Sequence, residues 1–142
     1  MFLDASAIVA LLLREPGYLE LEGRLKMFDG DLHYSQLARY EATTGIARAK
    51  SPSSTKRPAL DPGQIAEARI AVDEFLAEIG ATEVEIGDAV GSLAIDAAMR
   101  FGKNTGHPAA LNMGDCFAYA CAKANGIPLL YKGDDFSQTD MG

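Results

Sequence analysis

Leu111 to Phe136 is the stretch that most restricts what this chain can become. A helix opens near Asn112, carries apolar residues at helical spacing, and stops at Asn125-Gly126, a pair suited to a left-handed helix end. Ile127-Pro-Leu-Leu-Tyr131 then reads as a short buried strand, and Lys132-Gly-Asp-Asp135 as a turn loaded with carboxylates. Asp115 is thereby placed in the first turn of a helix, and Asp134 just past the C-terminal end of a strand. Ligands of open α/β sheets bind in the crevice beyond the strand ends. Two acids converging there invite a cation.

The preceding residues repeat the same alternation. Met1 to Ser6 is a very short strand ending in Asp4, with Ser6 positioned to cap a helix over Ala7 to Arg14. Pro16 opens a second helix to about Phe28, and Leu32-His-Tyr34 is a second strand. Ser35 caps a third helix, Gln36 to about Lys50, which carries Glu41. Ser51 to Ala59 is polar and proline-flanked, a loop. Asp61 and Pro62 start a fourth helix reaching about Ile79. Ala81 to Ile86 is a third strand, Gly87-Asp88 leads into a fifth helix ending near Phe101, and Gly102 to Ala109 is a second flexible loop. Strands alternating with helices, and no hairpin signals, predict a largely parallel sheet with helices on both faces. Residues 1–142 are expected to form a single domain, a length that supports a substantial core.

Composition narrows the function. No uncharged apolar run approaches a membrane span and the N-terminus has no basic leader, so a cytoplasmic protein is expected. Cys116 and Cys121 lie on one helix pointing in different directions, which excludes a bridge between them and leaves no thiolate zinc site. A formal charge of −7 argues against holding nucleic acid by bulk electrostatics. It leaves open a nuclease with clustered acids and local basic groups.

The layout brings four acids to one sheet edge: Asp4, Glu41, Asp115 and Asp134. Taken singly, each is better read as a cap or a solvated turn acid. Together they would repel one another and raise one another's pKa unless a cation intervened. Hard oxygen donors without Cys or paired His suit Mg²⁺, or Mn²⁺. Such a site activates water and stabilises an in-line displacement at phosphorus.

Met1-Phe-Leu-Asp-Ala-Ser, Ser35 with Glu41-Ala, Leu111-Asn-Met-Gly-Asp-Cys, and Leu129-Leu-Tyr-Lys-Gly-Asp-Asp-Phe together resemble the PIN-domain ribonuclease toxins of VapBC toxin–antitoxin systems. The likeness spans nearly the whole chain in order. It implies a three-layer α/β/α PIN-like domain and a Mg²⁺-dependent endoribonuclease that cuts RNA such as tRNA or rRNA loops. It further implies a homodimer held inactive by a cognate VapB antitoxin, whose Arg-bearing tail reaches the acid pocket. In that family the metal is held chiefly by acids matching Asp4 and Asp115, with Glu41 and a final acid completing the site. Asp134 and Asp135 compete for that last role, and Asp134 is preferred because Asp135 adjoins Phe136.

Water attack assisted by a metal would leave a 5′-phosphate and a 3′-hydroxyl. A cyclic phosphate would need a pair of bases, and His33 and His107 are poorly placed for it. Arg48, Lys50, Lys56 and Arg57, with Arg100 and Lys103, read either as a solvated face or as groups that grip RNA phosphates. Leucines of the first two helices (Leu11, Leu12, Leu13, Leu19, Leu21, Leu25) fit a core and, secondarily, a groove for a partner helix. A phosphatase with Asp4 as nucleophile would want an acid where Ser6 stands, and a metal-dependent adhesion site a serine where Ile8 stands. The remaining alternative is a catalytically silent PIN-like module that only binds protein partners.

Overall fold

The computed structural model describes residues 1–51 and 59–142; the expected RNA contacts Lys56 and Arg57 lie outside them. Four strands, β1 (Phe2–Leu3), β2 (His33–Tyr34), β3 (Thr82–Glu83) and β4 (Leu129–Leu130), form one parallel sheet in the order β3-β2-β1-β4. Among the described residues six α-helices surround it: α1 (Ala5–Leu13), α2 (Tyr18–Met27), α3 (Gln36–Lys50), α4 (Pro62–Glu78), α5 (Asp88–Phe101) and α6 (Met113–Asn125). The α/β fold with a short parallel sheet is the one expected.

The two central strands, β1 and β4, are only two residues long, yet their side chains divide cleanly between two cores, while both residues of the edge strand β3 are exposed. Phe2 and Leu129 pack with α5 and α6 on one face, and Leu3 and Leu130 with α1, α3 and α4 on the other. Successive strand residues point to opposite faces, so a two-residue strand buried on both sides must be apolar at both positions. Phe2, Leu3 and Leu130 are fully buried, each burial stabilising by roughly 2 kcal/mol. Backbone bonds continue beyond the strands, from Phe2 N–H to Pro128 O at 2.8 Å and from Asp4 N–H to Leu130 O at 2.9 Å.

Helix starts follow the expected capping residues in α3, α4 and α6; α2 starts at Tyr18 behind a left-handed Gly17 rather than at Pro16, and α5 follows Gly87, neither with a side-chain cap. Ser35 accepts from Ala38 N–H, Asp61 from Gln64 N–H, and Asn112 from Asp115 N–H, each closing an otherwise unpaired donor. In α1 the cap is Asp4, not the expected Ser6. Asp4 is the last extended residue, and its carboxylate accepts from Ser6 N–H at 2.9 Å, so the helix begins two residues earlier. The segment after α5 is not the free loop expected either. Lys103 to Thr105 form a single 3₁₀ turn, and Gly102 bridges Leu111, with Leu111 N–H donating to Phe101 O at 3.0 Å.

Arg39 of α3 grips Asp73 of α4 in a two-pronged ion pair, Nε to Oδ1 at 2.6 Å and Nη2 to Oδ2 at 2.8 Å. Cys116 and Cys121 are free and buried, and burial pushes the Cys121 thiol up to about 11. Among the described residues no helix is long and apolar enough to cross a membrane.

Candidate functional site

Strand ends and helix starts meet at one edge of the sheet, and the acids gather there. Asp4 terminates β1 and caps α1 with only 4 % of its surface exposed. Its carboxylate accepts from both the backbone N–H and the hydroxyl of Ser6, and the Ser6 oxygen in turn accepts from Lys132 N–H at 3.0 Å. Asp115 is the third residue of α6 and completes a capping box, accepting from Asn112 N–H at 2.8 Å while its own N–H donates to the Asn112 side chain at 3.1 Å. Its reading as a cap is therefore correct. One carboxylate oxygen, Oδ1, is left over.

Glu41 projects from the second turn of α3 onto the start of α6, against Gly114. Asp4, Glu41, Asp115 and Asp135 line one open cavity of about 360 Å³, together with Ser6, Glu15, Asn112 and Lys132. Asp134 is not among its walls. Gly133 turns the chain at φ +94°, Asp134 follows, and its carbonyl accepts from Ser137 N–H at 3.0 Å and from the Ser137 hydroxyl at 2.6 Å. That makes Asp134 the hinge of the closing 3₁₀ turn (Asp135–Gln138) and aims Asp135 at the other acids. The preference for Asp134 is corrected to this extent.

Burial first, and mutual repulsion second, raises the proton affinity of the cluster. Burial pushes the Asp4 carboxyl up, opposed by the Ser6 hydrogen bonds and reinforced by the charge of Asp135. Glu41 rises to about 7, from burial first and then from Asp4 and Asp115. Asp115 rises to about 6 through burial, with the Asn112 hydrogen bond opposing and Asp4 and Asp135 adding to the rise. Among the described residues, no three His, Cys, Asp or Glu side chains are disposed to hold one ion as they stand. The donor chemistry nevertheless fits a hard divalent cation: carboxylate oxygens that repel one another across an open cavity, with no sulfur or imidazole among them.

Other expected contacts fall elsewhere. Arg48 and Lys50 occupy the last turn of α3 and do not line the cavity. Arg100 pairs with Asp140 at 3.5 Å and stacks 4.5 Å from the Phe101 ring, while Lys103 borders a separate, mostly apolar cavity between α5 and α6. His33 meets the Thr82 hydroxyl at 2.9 Å, and His107 packs edge-on against Phe101 and accepts from Ala109 N–H. Both histidines are structural. Of the leucines in α1 and α2, Leu21 is buried and Leu19 is 65 % exposed. Ser6, Asn112, Glu15 and Lys132 were not foreseen as site residues. The one available signal was Lys132, standing in the same turn as the acids.

Comparison with known proteins places this geometry in a family. The PIN domain family model matches residues 1–141. A VapC ribonuclease of Rhizobium meliloti is 52 % identical over 141 residues, covering 99 % of each chain. Ribonuclease VapC42 of Mycobacterium tuberculosis is 34 % identical over 142 residues, covering 99 % of this chain and 96 % of its own. The crystal structure of Mycobacterium tuberculosis VapC20, a sarcin-ricin loop cleaving toxin, superposes with a TM-score of 0.72 at 14 % identity, covering 99 % of this chain and 95 % of that one, a likeness of fold. The chain belongs to the PIN domain family, among its VapC-type members.

Proposed function

We propose that this protein is an endoribonuclease toxin that uses Mg²⁺, with Mn²⁺ able to replace it, and that acts in the cytoplasm on RNA loops such as those of tRNA or rRNA. The observation that carries the reading is the meeting of Asp4, Glu41, Asp115 and Asp135, from four separate stretches of sequence, in one open cavity. Glu41 and Asp115 there hold protons up to about 7 and about 6, a cost that a divalent cation would relieve.

In this reading Asp4 and Asp115 hold the metal, Asp135 rather than Asp134 completes the site, and Glu41 takes the proton of the attacking water. A bound divalent ion supplies water activation and charge stabilisation at phosphorus. The Ser6 hydroxyl holds Asp4 in a single orientation, and the capping box does the same for Asp115. No ribose 2′-hydroxyl takes part, so cleavage leaves a 5′-phosphate. The partner that silences the protein is a VapB-type antitoxin. A groove of about 600 Å³ between α1, α2 and α4, where Leu11, Leu25, Phe75 and Ile79 alternate with Arg14, Glu22, Lys26 and Glu78, suits an amphipathic helix of such a partner. The active form is a homodimer.

The test is cleavage of total RNA by the purified chain with Mg²⁺, with Mn²⁺ and with chelator, alongside an Asp4→Asn, Asp115→Asn double variant. Cleavage that needs the metal, fails in the variant and yields 5′-phosphate ends supports the proposal. Equal behaviour of all samples would leave a protein-binding module instead.

A further inference from the structure

Among the described residues, Lys132 is the one basic side chain lining the acidic cavity. Its ammonium is held by Glu15 on the cavity lip, Nζ to Oε2 at 2.5 Å, with both side chains one-third exposed at 33 %. Two local arrangements bring them together. The backbone of Lys132 donates to Ser6 Oγ at 3.0 Å, which fixes the root of the side chain beside Asp4. Glu15 follows Arg14, a left-handed residue at φ 52° that ends α1 where glycine is usual, and Glu15 N–H donates back to Ala10 O at 3.0 Å.

Stability alone accounts poorly for this arrangement. An ion pair one-third exposed on each side is worth about 0–1 kcal/mol. A ligand for the lysine explains it better. RNA brings negative phosphates to a wall of carboxylates, and a metal at Asp4 and Asp115 answers only the phosphate it touches. A neighbouring phosphate needs its own cation. Glu15, one-third exposed on the lip, gives up the ammonium at little cost.

We infer that Lys132 is a substrate-binding residue that leaves Glu15 to grip an RNA phosphate next to the one cleaved, Glu15 parking the ammonium on the lip when no RNA is bound. This rests on the nuclease reading above.

The test is fluorescence anisotropy of labelled single-stranded RNA over a KCl series with Ca²⁺ in place of Mg²⁺, and cleavage by the same proteins in Mg²⁺ alongside. Lys132→Met is expected to weaken RNA binding about tenfold at low salt and to flatten the salt dependence by about 0.7 in log–log slope, one phosphate contact on a single strand. Lys132→Arg retains binding, and Glu15→Gln tightens it about threefold by freeing the ammonium. Wild-type affinity and slope in Lys132→Met would overturn the inference, as would a Glu15→Gln variant that weakens binding as Lys132→Met does, the mark of a structural strut. Should Lys132→Met fold poorly by thermal unfolding, the Glu15→Gln arm decides: no tightening overturns it. Wild-type protein that cleaves no RNA removes the nuclease reading and this inference together. Cleavage by wild type with Lys132→Met unaltered removes the inference alone.

Discussion

The Glu41 carboxylate lies against the α-carbon of Gly114, in the space that the Cβ of any other residue would fill. Glycine is thus required at the second position of α6 so that an acid from α3 can lie beside Asp115. Gly114→Ala should push aside only the tip of a flexible side chain, and alanine is the better helix former. We expect Tm to stay within about 3 °C of wild type while RNA cleavage falls about a hundredfold, as a displacement of about 1 Å in a reacting group can do. Calorimetry and single-turnover cleavage check the two halves separately.

Asp134 and Asp135 are adjacent and chemically identical, which makes them a clean internal control. Only Asp135 lines the cavity and adds its charge to those of Asp4 and Asp115. Asp135→Asn should lower kcat/KM about tenfold or more, and Asp134→Asn should leave it within about twofold. Equal losses from both would place the fourth acid on the turn as a whole rather than on one side chain.

The metal-free site should make stability fall with rising pH. Glu41 and Asp115 titrate near 7 and 6 in the folded chain, against ordinary values of 4.5 and 3.8. The native state therefore binds more protons than the unfolded chain between those limits, and the contribution of these carboxyls, full below about pH 4, is lost as pH rises through about 7. Asp73 and Asp140 are held below the usual range, so their contribution is complete above about pH 4 and does not change across this window. Tm of the chelated protein should drop by roughly 10 °C between about pH 5 and about pH 8. Glu41→Gln should remove much of the drop, and Mg²⁺ should restore Tm at the upper pH. Titration calorimetry in two buffers of different ionisation heat should show protons leaving as the metal binds.

The Arg39–Asp73 pair ties α3, the helix that bears Glu41, to α4 from outside the site. Its forked geometry is the favourable one for an ion pair, yet Asp73 is 40 % exposed and solvent screens it. Asp73→Asn should cost about 1 kcal/mol, a Tm loss of about 3 °C, with RNA cleavage unchanged. A large loss of cleavage would show that α4 positions Glu41.

Ser35, Asp61-Pro62 and Asn125-Gly126 announced their helix ends because capping chemistry is local and each side chain serves its own backbone. Asp4, Glu41 and Asp115 could be grouped from sequence for a related reason. In a parallel sheet every strand end and every α1- or α6-type helix start falls on the same edge. Asp4 as the cap of α1 was missed because Ser6 is an equally good cap on paper, and only the extended backbone of Asp4 separates the two. The choice between Asp134 and Asp135 depends on the turn at Gly133, at φ +94°. A rotation of that kind leaves no trace in spacing. The Glu15–Lys132 pair was out of reach because its partners lie far apart in sequence and Glu15 is set by a left-handed arginine that no propensity favours.

β4 lies beside β1 and carries the last strand pairing, so Asp4 N–H finds its acceptor, Leu130 O, only when the far end of the chain arrives. Ser6 likewise waits for Lys132, and the cavity for Asp135. A polypeptide still emerging from the ribosome therefore holds Asp4 and Glu41 without the groups that complete them. The four acids share one cavity only after the C-terminal segment has docked.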